Sequence, residues 1–447
     1  MKNNINFTLA VLLLSLMSCD NFLEEKPDQR LVVPGTLDDL QAMLDNTALQ
    51  NDPYSGEICA GDYYLTDADW QAMTSEQHKR AYIWENTYTT VTNDWYTPYR
   101  NIYWANIVLE NVEKIERDAA SQARWDDLKG QALFLRARGL LSVAAIWAPV
   151  YDESNAQQKP GIPLRLTSDF NTPSTPASVE ETYNQIIQDL TQAAALLPEK
   201  PVHVIRASRQ AALALLARSY LLMGKYSECL EACNQSLDID RMLIDLNTLD
   251  SARAYPVGQF SPEVIYFSQL PNPVPLSINR AKMDTALYHS YAKDDLRRSL
   301  FYRDNKNGSY SFRGSYSASS TPFSGLAIDE VYLMRSECQA RTGDVNGAMA
   351  TLNELLVTRW RKGKFVAYAS GNHEEALKLI LEERRKELLM RGLRIADLKR
   401  LNRDGFNISV SRTVGNMTYT LAPNDLRYNV LIPEEVIANS GLIQNER

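Results

Sequence analysis

Residues 208–237 read SRQAALALLARSYLLMGKYSECLEACNQSL. Ser208 is a good helix N-cap, Leu213, Leu216, Ala217 and Tyr220 follow at helical spacing, and Gly224 supplies a turn. Tyr226, Cys229, Cys233 and Leu237 then restart the same period. The pattern returns when Gly343 is set on Gly224: Ser336 falls on Ala217, Val345 on Tyr226, Ala348 on Cys229 and Leu352 on Cys233. Small residues at these places let two antiparallel helices approach closely, and glycine adopts the turn conformation without a Cβ penalty. One such hairpin cannot bury its own face, so the shared register predicts stacked, tetratricopeptide-like helix pairs.

Working outward, Tyr99 to Glu116 and Trp125 to Trp147 read as long helices, the second closed by Pro149. A connector with Pro149, Pro160, Pro163, Pro173 and Pro176 follows. Ser178 and Glu181 form a capping box, and the helix they open carries Tyr183, Ile186, Ile187, Leu190 and Ala194 on one stripe before Pro198 ends it. The stretch Asp240 to Gly325 is too long to be a connection inside a compact solenoid, so it is expected to be an insertion, with a strand at Glu263 to Gln269. The expected fold is therefore mainly α: a helical-repeat scaffold over about 99–239 and 326–401, with irregular, partly β segments at about 50–98 and 240–325.

The chain has 447 residues, 45% hydrophobic and 23% charged, the profile of an ordinary globular protein. Its net charge of -8 gives no footprint for nucleic acid, whose binding rests on neutralising phosphates with Lys and Arg. Five cysteines do not make a disulfide scaffold, and none has zinc-ligand spacing. Lys2 precedes an apolar run from Phe7 to Met17, too short to span a bilayer, which needs about 20 residues. It reads as an export signal ending at Leu16-Met17-Ser18-Cys19, which resembles a bacterial lipobox. Residues 1–18 are then a signal peptide, Cys19 the lipid-bearing first residue, 19–40 a tether, and 41–447 a single domain outside the membrane.

Enzymatic signatures fail. His78, His203, His289 and His373 are scattered without HExxH or HxH spacing, and there is no GxSxG, Gly-rich phosphate loop or Walker sequence. No catalysis, cofactor or metal is expected. Cys229 and Cys233, four apart on one helix, have poor geometry for a disulfide and read as core thiols, while a Cys59–Cys338 pair stays open. In the charged run from Glu382 to Glu387, Arg384 shares a stripe with Leu377, Leu381 and Leu388. Arg384 and Glu387 are thus expected to point inward, with Arg394 and Asp397 as neighbours.

Aromatic residues carry the functional signal. Residues 54–104 contain Trp70, Trp84, Trp95 and Trp104, four of the seven tryptophans, and Tyr288 to Phe323 is similarly dense in rings. A sugar has a polar rim and a flat C–H face, so a glycan site needs exposed rings beside hydrogen-bonding side chains. Asp62, Tyr63, Tyr64, Asp67, Asp69 and Trp70 supply that mixture in one segment, and Trp84, Tyr288, Tyr291, Tyr310 and Tyr316 are further candidates. The alternative is that such rings pack loops onto helices. That is the expectation for Trp95, Tyr99, Ile102 and Tyr103, whose spacing is helical.

Several blocks together resemble the SusD/RagB family of Bacteroidetes outer-membrane lipoproteins. They are Cys19 to Pro27, Leu133 to Ala137 through Trp147, Ile162-Pro163-Leu164, SVEETYNQIIQDL from Ser178, AALALLARSYLLMGKY from Ala211, ERRKELLMRGLRIADLKR from Glu383, and the ending from Ile432-Pro433 through Asn445. Met17 and Cys229 stand where the family usually has other residues. The resemblance implies a SusD-like fold and a cell-surface protein that lies on a SusC-like TonB-dependent transporter, captures an oligosaccharide or polysaccharide, and hands it over for import. It carries over no ligand-contacting residue. A peptide-binding protein of the same architecture, a helical adaptor and a hydrolase are the competing readings.

Overall fold

The structure, a computed structural model, describes residues 34–85 and 94–447. The expected signal, Cys19 and most of the tether lie outside the described residues. Among the described residues, ten helices have eight or more residues: α1 Leu37–Leu44, α2 Tyr96–Val112, α3 Gln122–Trp147, α4 Val179–Leu196, α5 Arg209–Met223, α6 Tyr226–Ile239, α7 Ile328–Arg341, α8 Val345–Leu356, α9 His373–Glu387 and α10 Arg394–Arg403. No described helix is long and apolar enough to cross a membrane. The ten strands are short and paired in twos: β1 Tyr63–Tyr64, β2 Pro160–Pro163, β3 Pro176–Ser178, β4 Val264–Tyr266, β5 Lys282–Met283, β6 Tyr302–Asp304, β7 Tyr310–Phe312, β8 Leu326–Ala327, β9 Val410–Val414 and β10 Met417–Leu421. The fold is mainly α.

The helices from α2 to α6 pack each on the next, as repeated hairpins require. Both turn glycines have positive φ, Gly224 at 78° and Gly343 at 94°. The small residues aligned between the two units, Ala217, Cys229, Cys233, Ser336 and Ala348, are all fully buried. Between α7 and α8 the Ser336 hydroxyl donates to the Ala348 carbonyl at 2.8 Å. Helix α6 packs directly on α7, although 88 residues, from Asp240 to Ala327, separate them in the chain. The insertion is therefore looped out of a continuous stack, and Ser178 and Glu181 form the capping box expected for α4.

Several boundaries depart from expectation, among them the end of α2, at Val112 rather than Glu116, and the start of α3, at Gln122 rather than Trp125. Helix α2 begins at Tyr96 rather than Tyr99. The strand expected over Glu263 to Gln269 is confined to β4, because Phe267 N–H turns to the Val204 carbonyl and Gln269 N–H to that of Gln50. The first described helix opens at the Thr36 capping box, inside the expected tether, and Leu40 of α1 is fully buried against α2 and α3. The cysteines Cys229, Cys233 and Cys338 lie in the main core and Cys59 in a separate cluster near the C-terminus, so a Cys59–Cys338 pair does not form.

The insertion brings its own core. Tyr63, Leu65, Met73, Tyr82, Phe267, Met283, Tyr291, Phe301, Tyr302, Tyr316 and Phe323 form a second apolar cluster beside the helix stack. Buried ion pairs join it to the scaffold. Arg297 meets Asp295, Glu383 and Glu387 at 2.7, 2.5 and 2.9 Å, and Arg359 meets Glu263 and Glu387 at 2.6 and 2.7 Å. Arg384 points inward to Asp397 at 2.9 Å. Burial opposes the charge on Asp397, but the Arg384 and Arg400 guanidiniums hold its carboxyl below the usual range. The charged run on α9 is thus the seam between the two cores.

Candidate ligand-binding face

The site begins at β1. A strand sends successive side chains to opposite faces, so Tyr63 turns into the second core, its hydroxyl donating to the Ile58 carbonyl at 3.1 Å, while Tyr64 is left half-buried at the surface. Thr66 then caps a short helix, Asp67–Gln71, by accepting from Asp69 N–H, and that helix carries Trp70. The indole of Trp70 is half-buried. Its N–H donates to the Lys79 carbonyl at 3.3 Å, and the Lys79 ammonium lies 5.4 Å from the ring centre.

β5 pairs antiparallel with β1, Tyr64 opposite Lys282. This pairing brings the two aromatic segments, more than 200 residues apart, onto one core. Arg280 donates to the Asp69 carbonyl at 2.8 Å, and the Lys282 ammonium stands 3.8 Å from the Asp69 carboxylate. Asp284 follows β5 and caps the helix Thr285–Ser290, which presents Tyr288. Tyr288 stacks on Tyr310 with ring centres 3.5 Å apart and planes at 17°, and the Arg298 guanidinium lies 4.7 Å over Tyr288. Trp70, Tyr288 and Tyr310 are all half-buried on the rim of the second core. Beneath them Arg385 of α9 bridges Asp62 and Asp284 at 2.8 Å each, fixing β1 against β5. Burial alone would lower the Arg385 pKa, and these two carboxylates raise it above its ordinary value.

Five of the candidates named from sequence are interior instead. Asp62 is spent on Arg385, and Tyr63 faces inward. Trp84 is buried, donates its indole N–H to the Cys59 carbonyl at 3.0 Å, and lies under the Arg412 guanidinium at 4.8 Å. The Tyr291 hydroxyl donates to the Lys386 carbonyl at 2.8 Å, and that of Tyr316 to Glu263 at 2.7 Å. Burial pushes the Tyr316 hydroxyl well above its ordinary pKa. Tyr63, Tyr291 and Tyr316 help make the second core, because segments with no long helix need large apolar side chains to make one, while Trp84 packs in a separate cluster with Cys59 and residues 395–428. Asp67 and Asp69 remain on the accessible rim, Asp67 accepting from Gly415 N–H at 2.8 Å.

The sequence reading missed Arg298, Lys79 and Lys282, whose placement against rings and carboxylates depends on the β1–β5 pairing. It also missed a second cleft, of about 240 Å³, lined by Trp95, Tyr99, Tyr103, Arg165 and Phe170. Trp95 and Tyr99 stack at 5.0 Å as packing residues, but Tyr103 is 43% exposed and Phe170, in the proline-rich connector, 81%. Only the density of rings near Trp95 hinted at this cleft.

A family model described as "Starch-binding associating with outer membrane" matches residues 21–221, and the SusD family model matches residues 308–434. SusD-like protein P25 of Formosa agariphila is 29% identical over 165 residues, 32% of this chain and 30% of that relative's own length. In solved structures, a SusD superfamily protein of Bacteroides thetaiotaomicron superposes with TM-score 0.75 at 20% identity, covering 92% of this chain and 100% of the other. A SusD-like carbohydrate binding protein of Bacteroides vulgatus superposes with TM-score 0.69 at 18% identity, covering 91% and 97%. At these identities the likeness speaks to the fold, and with the two family models, one at each end of the helical scaffold, it makes this chain a member of the SusD/RagB family.

Proposed function

We propose that the chain is a non-catalytic cell-surface protein, held to the outer membrane by lipid on Cys19, that captures an oligomeric glycan and delivers it to a SusC-like TonB-dependent transporter. Residues 1–18 serve as the signal and the residues between Cys19 and the Thr36 cap as the tether. The observation that carries the reading is the set of partly exposed rings, Trp70, Tyr288 and Tyr310 on the edge of the second core and Tyr64 on β1, with Asp67, Asp69 and Lys282 at the Trp70 and Tyr64 end. Such rings stack on sugar C–H faces while the polar rim exchanges hydrogen bonds with hydroxyls. The carbohydrate binding described for the B. vulgatus relative and the starch binding in the family model's description support the same choice of ligand.

The test is a glycan array followed by calorimetry on the best oligosaccharide. Trp70→Ala is expected to weaken binding by at least about 1 kcal/mol, while Trp84→Ala, altered in the interior, is expected to lower stability. Unchanged affinity in Trp70→Ala, or no glycan bound at all, would remove the basis for this function.

A further inference from the structure

The geometry points to an anionic glycan, one bearing carboxylate or sulfate ester groups, as the ligand of this face, with Arg298 as the residue that recognises the charge. This inference rests on the glycan-capture reading and narrows it.

Its basis is an imbalance in the segment that carries the tyrosine stack, residues 284–306. All four carboxylates of the segment already hold cations: Asp284 pairs with Arg385 at 2.8 Å, Asp294 with Arg361 at 3.2 Å, Asp295 with Arg297 at 2.7 Å and Asp304 with Lys306 at 3.1 Å. Of its five basic side chains, Arg297 and Lys306 are thereby used. Among the described residues, no carboxylate forms an ion pair with the other three, Lys293, Arg298 and Arg303. Arg298 is the one fixed at the rings. Its guanidinium carbon lies 4.7 Å from the Tyr288 ring centre, and Tyr288 is itself stacked on Tyr310.

A site for neutral sugars needs free acceptors as well as donors, because each hydroxyl both gives and takes a hydrogen bond. In this segment every carboxylate faces a cation while Arg298 faces no carboxylate among the described residues, and the accessible acceptors of the face, Asp67 and Asp69, lie at its Trp70 end. A guanidinium held on an aromatic shelf keeps its outward N–H groups in a planar fork, the arrangement that matches a carboxylate or sulfate with two parallel hydrogen bonds. Tyr288 is covered by Tyr310 and Arg298, so the side of the Tyr310 ring away from Tyr288 supplies the face for the sugar body. The chain as a whole carries a net charge of -8 and repels polyanions, so attraction for an acidic polymer has to be local.

The test measures affinities of the purified chain, at low and high salt, for oligogalacturonate, sulfated carrageenan oligosaccharide, its desulfated form and maltooligosaccharide. At least one acidic probe is expected to bind about tenfold or more above the neutral ones, and to lose that margin in high salt. Arg298→Gln is expected to lose at least about tenfold toward the acidic probe, and Arg298→Lys to retain part of it, with both variants melting as the parent does. The oligogalacturonate and carrageenan arms tell carboxylate from sulfate ester. Equal or tighter binding of neutral probes, or an Arg298→Gln variant that binds the acidic probe unchanged, overturns the anionic assignment. If in that case Trp70→Ala still abolishes neutral binding, glycan capture stands without it; no binding of any probe by the parent chain removes both.

Discussion

Glu57 is expected to make the stability of this protein fall as pH rises. It lies on the short helix Ser55–Cys59, is 1% exposed, and accepts one hydrogen bond, from Gly392 N–H at 2.8 Å, while its Oε1 atom has no partner. Burial, with the Asp62 charge adding to it, raises its pKa from 4.5 to about 8, against the opposing pull of the Gly392 hydrogen bond, Arg412 and Arg394. In the unfolded chain the group releases its proton near 4.5; in the folded one it keeps it to about 8. Between these values the folded state binds more protons, so its stabilisation is full below pH 4.5 and is lost progressively as pH rises through the window. At about 1.4 kcal/mol per pH unit, the window carries up to about 5 kcal/mol. Asp94, raised by burial to about 7, acts in the same direction. Glu57→Gln cannot ionise and keeps an oxygen for Gly392. Urea denaturation of parent and variant across the window is therefore expected to give a steeper decline for the parent. Parallel pH profiles would mean that Glu57 is already ionised when folded and would refute the reasoning.

The buried seam and the helix contacts give further expectations. Arg359→Met leaves the buried Glu263 carboxylate without a cation and Glu387 with Arg297 alone, so it should destabilise by about 3–5 kcal/mol in chemical denaturation. A Cβ at Gly139 would stand 2.7 Å from Ile102 and 3.0 Å from the Pro98 carbonyl; Gly139→Ala should therefore push α2 from α3 and cost about 1–3 kcal/mol by the same measurement. Cys19→Ala should release the protein from membranes in cell fractionation, and a variant still sedimenting with membranes would disprove the lipid anchor.

Much of the scaffold was legible in the chain because its signals are local. Glycine at 224 and 343, small residues four apart and the Ser178 capping box each act within a few residues, so the helix pairs could be read without knowing what they pack against. Arg384 was also placed inward correctly, since its stripe on α9 is fixed by helical period. The candidate face was only half legible. Ring density located the right segments, but which ring of Tyr63 and Tyr64 points outward depends on β1 alternation, and Trp84 is interior because residues distant in sequence, Arg412 of β9 among them, pack over it.

Backbone propensity and side-chain period need only near neighbours, so the order of residues already specifies a stack of helix pairs interrupted by an aromatic insertion. Tertiary structure alone decided that most of those rings build a second core and that Trp70, Tyr288 and Tyr310 remain on its rim beside a cation with no carboxylate. Burial and charge balance are sums over residues brought together from distant parts of the chain, and no stretch of sequence contains them.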